Sequence, residues 1–281
     1  MIRVLKAGFY TSIQDKGRTG FASIGIPVSG AMDWYAADLA NHILNNSLED
    51  ALLEITFGGC VLEFSTATYI SISGGDFSAK INNIPILLNA RIKIHKNDVL
   101  SFGNIKFGAR CYVAVKNGFL TERVLKSRSF YKGITSSFLI KKDDLLPISS
   151  SPSDFEQSTT SIKILKIHFT SQELKCDEGP EFNLLNDIQK KQIKNQVFTI
   201  SNLNNRMGYQ LKEPIKNYLP QLLTSAVLPG TVQLTPSGKL IILMRDCQVT
   251  GGYPRILQLS RNAINVLAQK ATGNNIQFTF N

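Results

Sequence analysis

The stretch VLEFSTATYISISG, residues 61–74, crowds valine, isoleucine, tyrosine, phenylalanine and threonine together. Branched and aromatic side chains fit a pleated surface and lose rotamer freedom in a helix. The texture recurs in IPILLNARIKIHKNDVLSFG (84–103) and ARCYVAVKNG (109–118). Gly, Asn and Asp interrupt these runs about every 8 to 12 residues, the rhythm of a β-barrel or sandwich. The chain therefore reads as mainly β, with a few short helices.

Three helices are expected. Residues 33–44 carry Ala36, Ala37, Leu39, Ala40, Ile43 and Leu44 on one face and end at Asn45-Asn46. Residues 183–196 place Leu185, Ile188 and Ile193 on one side. The third is capped by Ser260, carries Ile264, Leu267 and Ala268, and stops at Gly273. The Ser/Thr/Pro-rich ISSSPSDFEQSTTS (148–161) reads as a linker between a β-rich part with one helix (1–150) and a second β-rich part (161–281). The alternative is a long loop within one intertwined body. Strand-like patterning resumes at IKILKIHF (162–169).

Composition narrows the class. Hydrophobic residues make up 43% and charged residues 19% of 281, the balance of a soluble globule. No apolar run approaches the ~20 residues of a membrane span, and no signal-peptide core is evident, which points to the cytoplasm. Cys60, Cys111, Cys176 and Cys247 form no C-x-x-C pair, and His42, His95 and His168 lack ligand spacing, so no metal site is expected. Cys60 and Cys111 read as buried thiols, His95 as solvated and His168 as a structural strand residue. The net charge of +10 is shared equally between the two parts, and QKKQIK (189–194) reads as a solvated helix face. A basic stripe interleaved with aromatics, the footprint of a nucleic-acid reader, is absent. Anionic small molecules or an acidic partner remain compatible with the charge.

Three polar constellations stand out. In the first, Gln14, Asp15 and Arg18 precede GIPVSGAMD, which opens the first helix. Ser29, the Gly30 amide and the first-turn amides offer an anion site; the alternative is a loop with Ser29 or Asp33 as N-cap. The second is NNRMGYQL (204–211), where Arg206 stands among lysines. Its fork suits a carboxylate or phosphate; the alternative is a surface turn with Gly208 at positive φ. The third, DCQVTGGYPRI (246–256), follows the apolar run LIILM (240–244). Extended as a strand, it shows Asp246, Gln248 and Thr250 on one face, with Cys247 and Val249 inward. Gly251 and Gly252 then admit close approach, as in a small-molecule pocket, with Tyr253 beside them. A polar-faced hairpin is the alternative.

Together QDKGRTGFASIGIPVSGAMD, LANHILNN, LEITFGG, SRSFY, NNRMGYQL and GTVQLTPSGKLIILMRDCQVTGGYPRI resemble the family of 5-oxoprolinase C subunits. This family is also called the allophanate-hydrolase-subunit-2-like or biotin-dependent carboxyltransferase family, and it includes the KipA proteins. The resemblance runs from residue 3 to about 278. It implies a cyclophilin-like β-barrel architecture and a cytoplasmic partner, the 5-oxoprolinase B subunit, which is itself cyclophilin-like. With the A subunit, these proteins cleave 5-oxoproline to glutamate at the expense of ATP. The lactam carbonyl would be activated by phosphorylation and the ring opened by water. Related domains carboxylate urea from carboxybiotin; a KipA-like regulator that binds a kinase inhibitor is the non-enzymatic alternative. Carried over as site positions are Asp15, Asp246 and Gln248 for catalysis. Gln14, Arg18, Ser29, Gly30, Asp33, Arg206, Thr250, Gly251, Gly252 and Tyr253 are carried over for substrate or anion binding. Neither a P-loop nor a biotinyl-lysine motif is present, so ATP would be shared with the complex and biotin would arrive on another protein. The chain departs from the family pattern at ITSSF (134–138), Lys142-Asp143, Cys247 and Val249.

Overall fold

A computed structural model of the chain describes residues 1–149, 162 and 165–280. From residue 150 onward, the expected linker lies outside the described residues. Two compact units form, one from Met1–Arg18 and Ser29–Phe169, the other from Thr19–Val28 and Thr170–Asn281. No helix among the described residues is long and apolar enough to cross a membrane.

The first unit contains β1 (Ile2–Ala7), β2 (Tyr10–Gln14), α1 (Trp34–Ile43), β3 (Leu52–Thr56), β4 (Cys60–Phe64), β5 (Thr68–Asp76), β6 (Lys80–Ile81) and β7 (Ile84–Pro85). It continues with β8 (Ile92–Ile94), β9 (Val99–Ser101), β10 (Phe107–Val115), β11 (Leu145–Leu146) and the short α2 (Ile167–Thr170), which ends at the unit boundary. Two sheets result, in the orders β11-β1-β4-β9-β6-β7 and β2-β3-β10-β5-β8.

The second sheet is buried on both faces because its strands alternate two kinds of side chain. Leu53, Ile55, Ile70, Ile72, Cys111 and Val113 enter the main core with Ile2, Val4, Leu62 and Phe64 of the first sheet. The opposite face shows Leu52, Tyr69, Tyr112 and Ala114 to α1, whose Ala36, Ala37 and Ala40 let the helix lie close. That face also carries Glu54, buried within the sheet and paired in register with Tyr112.

The second unit runs β12 (Glu173–Glu178), α3 (Asp187–Asn195), β13 (Phe198–Asn204), β14 (Gly208–Leu211), β15 (Ser225–Ala226), β16 (Thr231–Leu234) and β17 (Leu240–Leu243). It ends with β18 (Thr250–Gly251), β19 (Arg255–Leu259), α4 (Arg261–Ala268) and β20 (Asn275–Phe280). Seven strands close a barrel in the order β12-β19-β16-β17-β14-β13-β20, so the expected mainly β, barrel-containing architecture holds. Closure removes exposed strand edges. Across four neighbouring strands the register aligns Tyr209, Ile242, Val232 and Leu257, all fully or almost fully buried. The other face aligns Gln210, Ile241, Gln233 and Arg255.

The helices show where local patterning suffices. Asp33 caps α1 by accepting from the Ala36 amide, and Ser260 caps α4 in the same way through Ala263. The second helix starts later than expected, at a capping box formed by Asn186 and Gln189. Leu185 and Ile193 are buried, but Ile188 is 79% exposed. The Gln189 side chain turns inward instead, donating to the Lys216 carbonyl at 2.7 Å. His168 lies in the helix α2 rather than in a strand. His95 is exposed, and all four cysteines are free and buried, with burial raising the Cys60, Cys176 and Cys247 thiols to about 12.

The two barrel faces predict unequal costs. Ile242→Ala should lose about 2–5 kcal/mol of stability, and Ile241→Ala under about 1 kcal/mol, measured by urea unfolding. Equal losses would contradict the assignment of faces.

Candidate functional site

The polar residues of the first unit are tied to one another. Asp15 follows β2 directly, and its carboxylate takes four hydrogen bonds. Oδ1 accepts from Ser127 Oγ at 2.6 Å, Ser129 Oγ at 2.7 Å and the Gly17 amide at 2.7 Å, and Oδ2 accepts from the Arg128 amide at 2.6 Å. A carboxylate so engaged organises the segment 127–129. Arg18 is 1% exposed and donates to the Ser129 carbonyl, and Gln14 is fully buried and donates to Ser12 Oγ at 2.9 Å.

Gly30, at φ 88°, packs so closely that a Cβ would lie 2.9 Å from the Gly17 nitrogen, so only glycine fits. Ser29 is buried at φ 57°, and its Oγ has no hydrogen-bond partner among the described residues. The helix start proposed as an anion site is served by the chain's own anion. Asp33 Oδ1 takes the Ala36 amide at 3.2 Å, while Oδ2 meets His168 Nε2 at 2.8 Å.

Sequence reasoning misses the residues beneath this helix. Glu54 accepts from the Met32 amide at 2.8 Å and lies 3.8 Å from Arg110 Nε. The Tyr112 hydroxyl accepts from the Asp33 amide at 2.8 Å, and burial holds its pKa well above 10. The available signal is a glutamate inside the apolar strand LEITF, because a charge in a two-sided strand needs a partner.

In the second unit, Arg206 and Asp246 form a bidentate pair, Nε to Oδ2 at 2.8 Å and a terminal nitrogen to Oδ1 at 3.0 Å. Both are buried. The fork expected to hold a ligand therefore holds the Asp246 carboxylate. The turn around Arg206 is shaped by Asn205, whose side-chain oxygen accepts from the amides of Met207 and Gly208. Gly208 is not at positive φ; it packs against Ile241.

The extended register proposed for 246–250 also fails. The chain turns after β17, with the Cys247 amide on the Met244 carbonyl at 3.1 Å, and β18 pairs with β15 instead. Asp246 and Cys247 are both buried, whereas Gln248 and Thr250 are exposed. Backbone hydrogen bonds from Leu222 to Gly252 and from Val227 to Val249 fix the loop.

The loop helps enclose a cavity of about 280 Å³, lined by Gln210, Gln233 and Ile241 of the outer row and by Gln248 and Tyr253 of the loop. Leu203, Asn205, Met207, Gly208 and Leu243 complete it. Of the predicted site residues, Gln248 and Tyr253 reach the cavity lining. Gly251 abuts it: a Cβ there would lie 2.6 Å from Gln233 Nε2 and 3.7 Å from Gln248 Nε2. Arg255, beside Gln233 in register, is held by Glu181 through contacts of 3.0 and 2.8 Å. No group of three or more metal-ligating side chains occurs among the described residues.

These features define a mainly β protein with a closed barrel and an amide-rich cavity on one barrel face. A family model described as carboxyltransferase domain, subdomain A and B, matches residues 24–280, and the chain belongs to that family. It is 31% identical over 284 residues to the C subunit of 5-oxoprolinase from Escherichia coli (strain K12), covering 99% of this chain and 90% of that protein. Urea amidolyase of Lachancea kluyveri is 39% identical over 129 residues, 46% of this chain and 7% of that protein. The solved Kluyveromyces lactis urea carboxylase superposes with a TM-score of 0.87 at 27% identity, over 99% of this chain and 27% of that one.

Two measurements test the ion pairs. Arg206→Met or Asp246→Leu alone should cost about 3–5 kcal/mol of stability, and the double variant should recover most of it. An unchanged single variant would show the pair to be dispensable. The Arg255 hydrogen bond holds the Glu181 carboxyl below its usual 4.5. Its stabilisation is therefore complete above that pH and is lost as pH falls through the lowered value. Acid unfolding of Arg255→Gln should show a weaker pH dependence below 4.5 than wild type; identical curves would remove this contribution.

Proposed function

We propose that this chain is the C subunit of an ATP-dependent 5-oxoprolinase, inert alone and active with the A and B subunits. The supporting observation is the near full-length similarity to the corresponding E. coli subunit, which extends through both units. The cavity supports it chemically. Neutral amides over an apolar floor suit the lactam edge of 5-oxoproline, whose N–H and C=O need an acceptor and a donor; its carboxylate, for which the described lining offers no cation, would stay toward solvent. Gln248 and Tyr253 would orient the ring, and Leu243 and Ile241 would hold its methylenes.

ATP supplies a phosphoryl group when bound. The barrel cavity does not fit a triphosphate, because its lining carries no charged residue among the described ones and the nearby Arg206 and Arg255 are already paired. In this reading the nucleotide is held elsewhere in the complex, and this chain contributes substrate orientation. A carboxyltransferase acting on urea-like amides is the second reading, favoured by the whole-chain superposition on urea carboxylase.

The test is 5-oxoproline-dependent ATP hydrolysis by the three subunits together, with each omitted in turn. Turnover should require this chain, and Gln248→Ala should lower it at least tenfold without changing Tm. Biotin-dependent carboxylation of urea with no 5-oxoproline turnover would favour the second reading, and full turnover without this chain would overturn the first.

A further inference from the structure

We propose that Gln233 is the specificity-determining residue of the barrel cavity. It reads the shared edge of a cis-amide, a lactam or cyclic ureide, on a neutral part of the ligand. This rests on taking the cavity, as above, for the substrate site.

Gln233 is 2% exposed and lines the cavity, yet its Nε2 has no hydrogen-bond partner among the described residues. A buried amide donor without an acceptor loses its water and gains nothing in return. Its site is also protected from being filled from the chain itself. Gly251 passes so near that a Cβ there would stand 2.6 Å from Nε2. Bare backbone at that position is what leaves the carboxamide its room, and this gives the first of the two loop glycines a physical reason.

Electrostatics select the ligand class. Among the described residues the lining has no charged side chain, and the two arginines adjoining it in sequence or register are neutralised by Asp246 and Glu181. A carboxylate or phosphate placed against Gln233 would be desolvated without a cation to meet it. A neutral amide suffers no such loss. One carboxamide offers an N–H and a C=O on the same edge, and a cis-amide in a ring offers the complementary pair. Two parallel hydrogen bonds then form at once. A trans amide points these groups to opposite sides and can make only one of them with Gln233. The volume of about 280 Å³ is at the small end for ligand pockets, suited to one small ring.

The test uses the full chain alone, with ligand-observed NMR titrations of 2-pyrrolidinone, 2-imidazolidinone and cyclopentanecarboxylate. The first two probes separate a lactam from a cyclic ureide as the preferred source of the edge. At least one should bind, and at least tenfold more tightly than cyclopentanecarboxylate. Gln233→Leu should weaken the bound cyclic amide at least tenfold while leaving Tm unchanged or raised, since an unpaired buried amide is removed. If Gln233→Leu does not fold, Gly251→Val, whose branched side chain displaces the Gln233 carboxamide terminus, should weaken the bound cyclic amide at least tenfold. Undiminished amide affinity in the folded variant, preferred binding of the carboxylate, or no cyclic-amide binding overturns the proposal. Gln233-dependent lactam binding without 5-oxoproline turnover by the complex would sink the functional reading and leave this one standing. Turnover with an unchanged KM in Gln233→Leu would do the reverse.

Discussion

A strand shows its side chains alternately to two faces, and much of this protein is built from strands that are covered on both. A charged or amide group on such a strand needs a partner from the protein, because water is not available to supply one, although the small hydroxyls of Thr56, Thr68, Ser71 and Ser73 are buried with none among the described residues. The consequence is visible in each unit. On the helix-covered face of β2, β3 and β10, Gln14, Glu54, Arg110 and Tyr112 are knitted to the segments around Met32, Asp33 and Ser129. Asp15, just past β2, is satisfied in the same manner by 127–129. These contacts fix the entry to α1 and account for the glycine and strained serine that precede it.

The barrel follows the same tendency; of the two buried, unpartnered side-chain atoms on its described strands, Thr279 Oγ1 and Gln233 Nε2, only the second belongs to a residue that lines the cavity. Arg206 and Arg255, both close to the outer barrel face, are each closed off by a carboxylate. Gln189 is satisfied by the Lys216 carbonyl. Gln233 alone among the cavity's buried side chains retains a donor with no partner among the described residues. Natural interiors leave few such groups, and unlike the unpartnered hydroxyls of Ser71 and Ser73 this amide belongs to a residue that lines a cavity.

Much of the fold is legible in the sequence because it rests on local rules. The strand texture of 61–74 and 109–118 and the caps at Asp33 and Ser260 are short-range signals, and each is present in the structure. The site is less legible. Alternation extends on paper through 246–250, but the chain turns at Met244–Cys247, and nothing in the residue pattern alone separates a polar strand from a polar loop. Arg206 stands out among lysines, yet its partner, Asp246, lies forty residues away and is a matter of tertiary structure. Gln233 sits in GTVQLTPSG, where one amide in a short strand has no local signature; only closure of the barrel and the approach of Gly251 reveal it. Ile188 and Gln189 exchange roles because the capping box sets the start of the helix later and rotates its buried face.

The central claim is that the unpartnered amide of Gln233 is the reading head of the barrel cavity. A crystal structure of the chain soaked with 2-pyrrolidinone tests it directly. The account predicts one ring in the cavity, its C=O and N–H both within hydrogen-bond distance of the Gln233 carboxamide and its methylenes against Ile241 and Leu243. A lactam bound elsewhere, or a Gln233 amide hydrogen-bonded to the protein with the cavity holding only water, would contradict it.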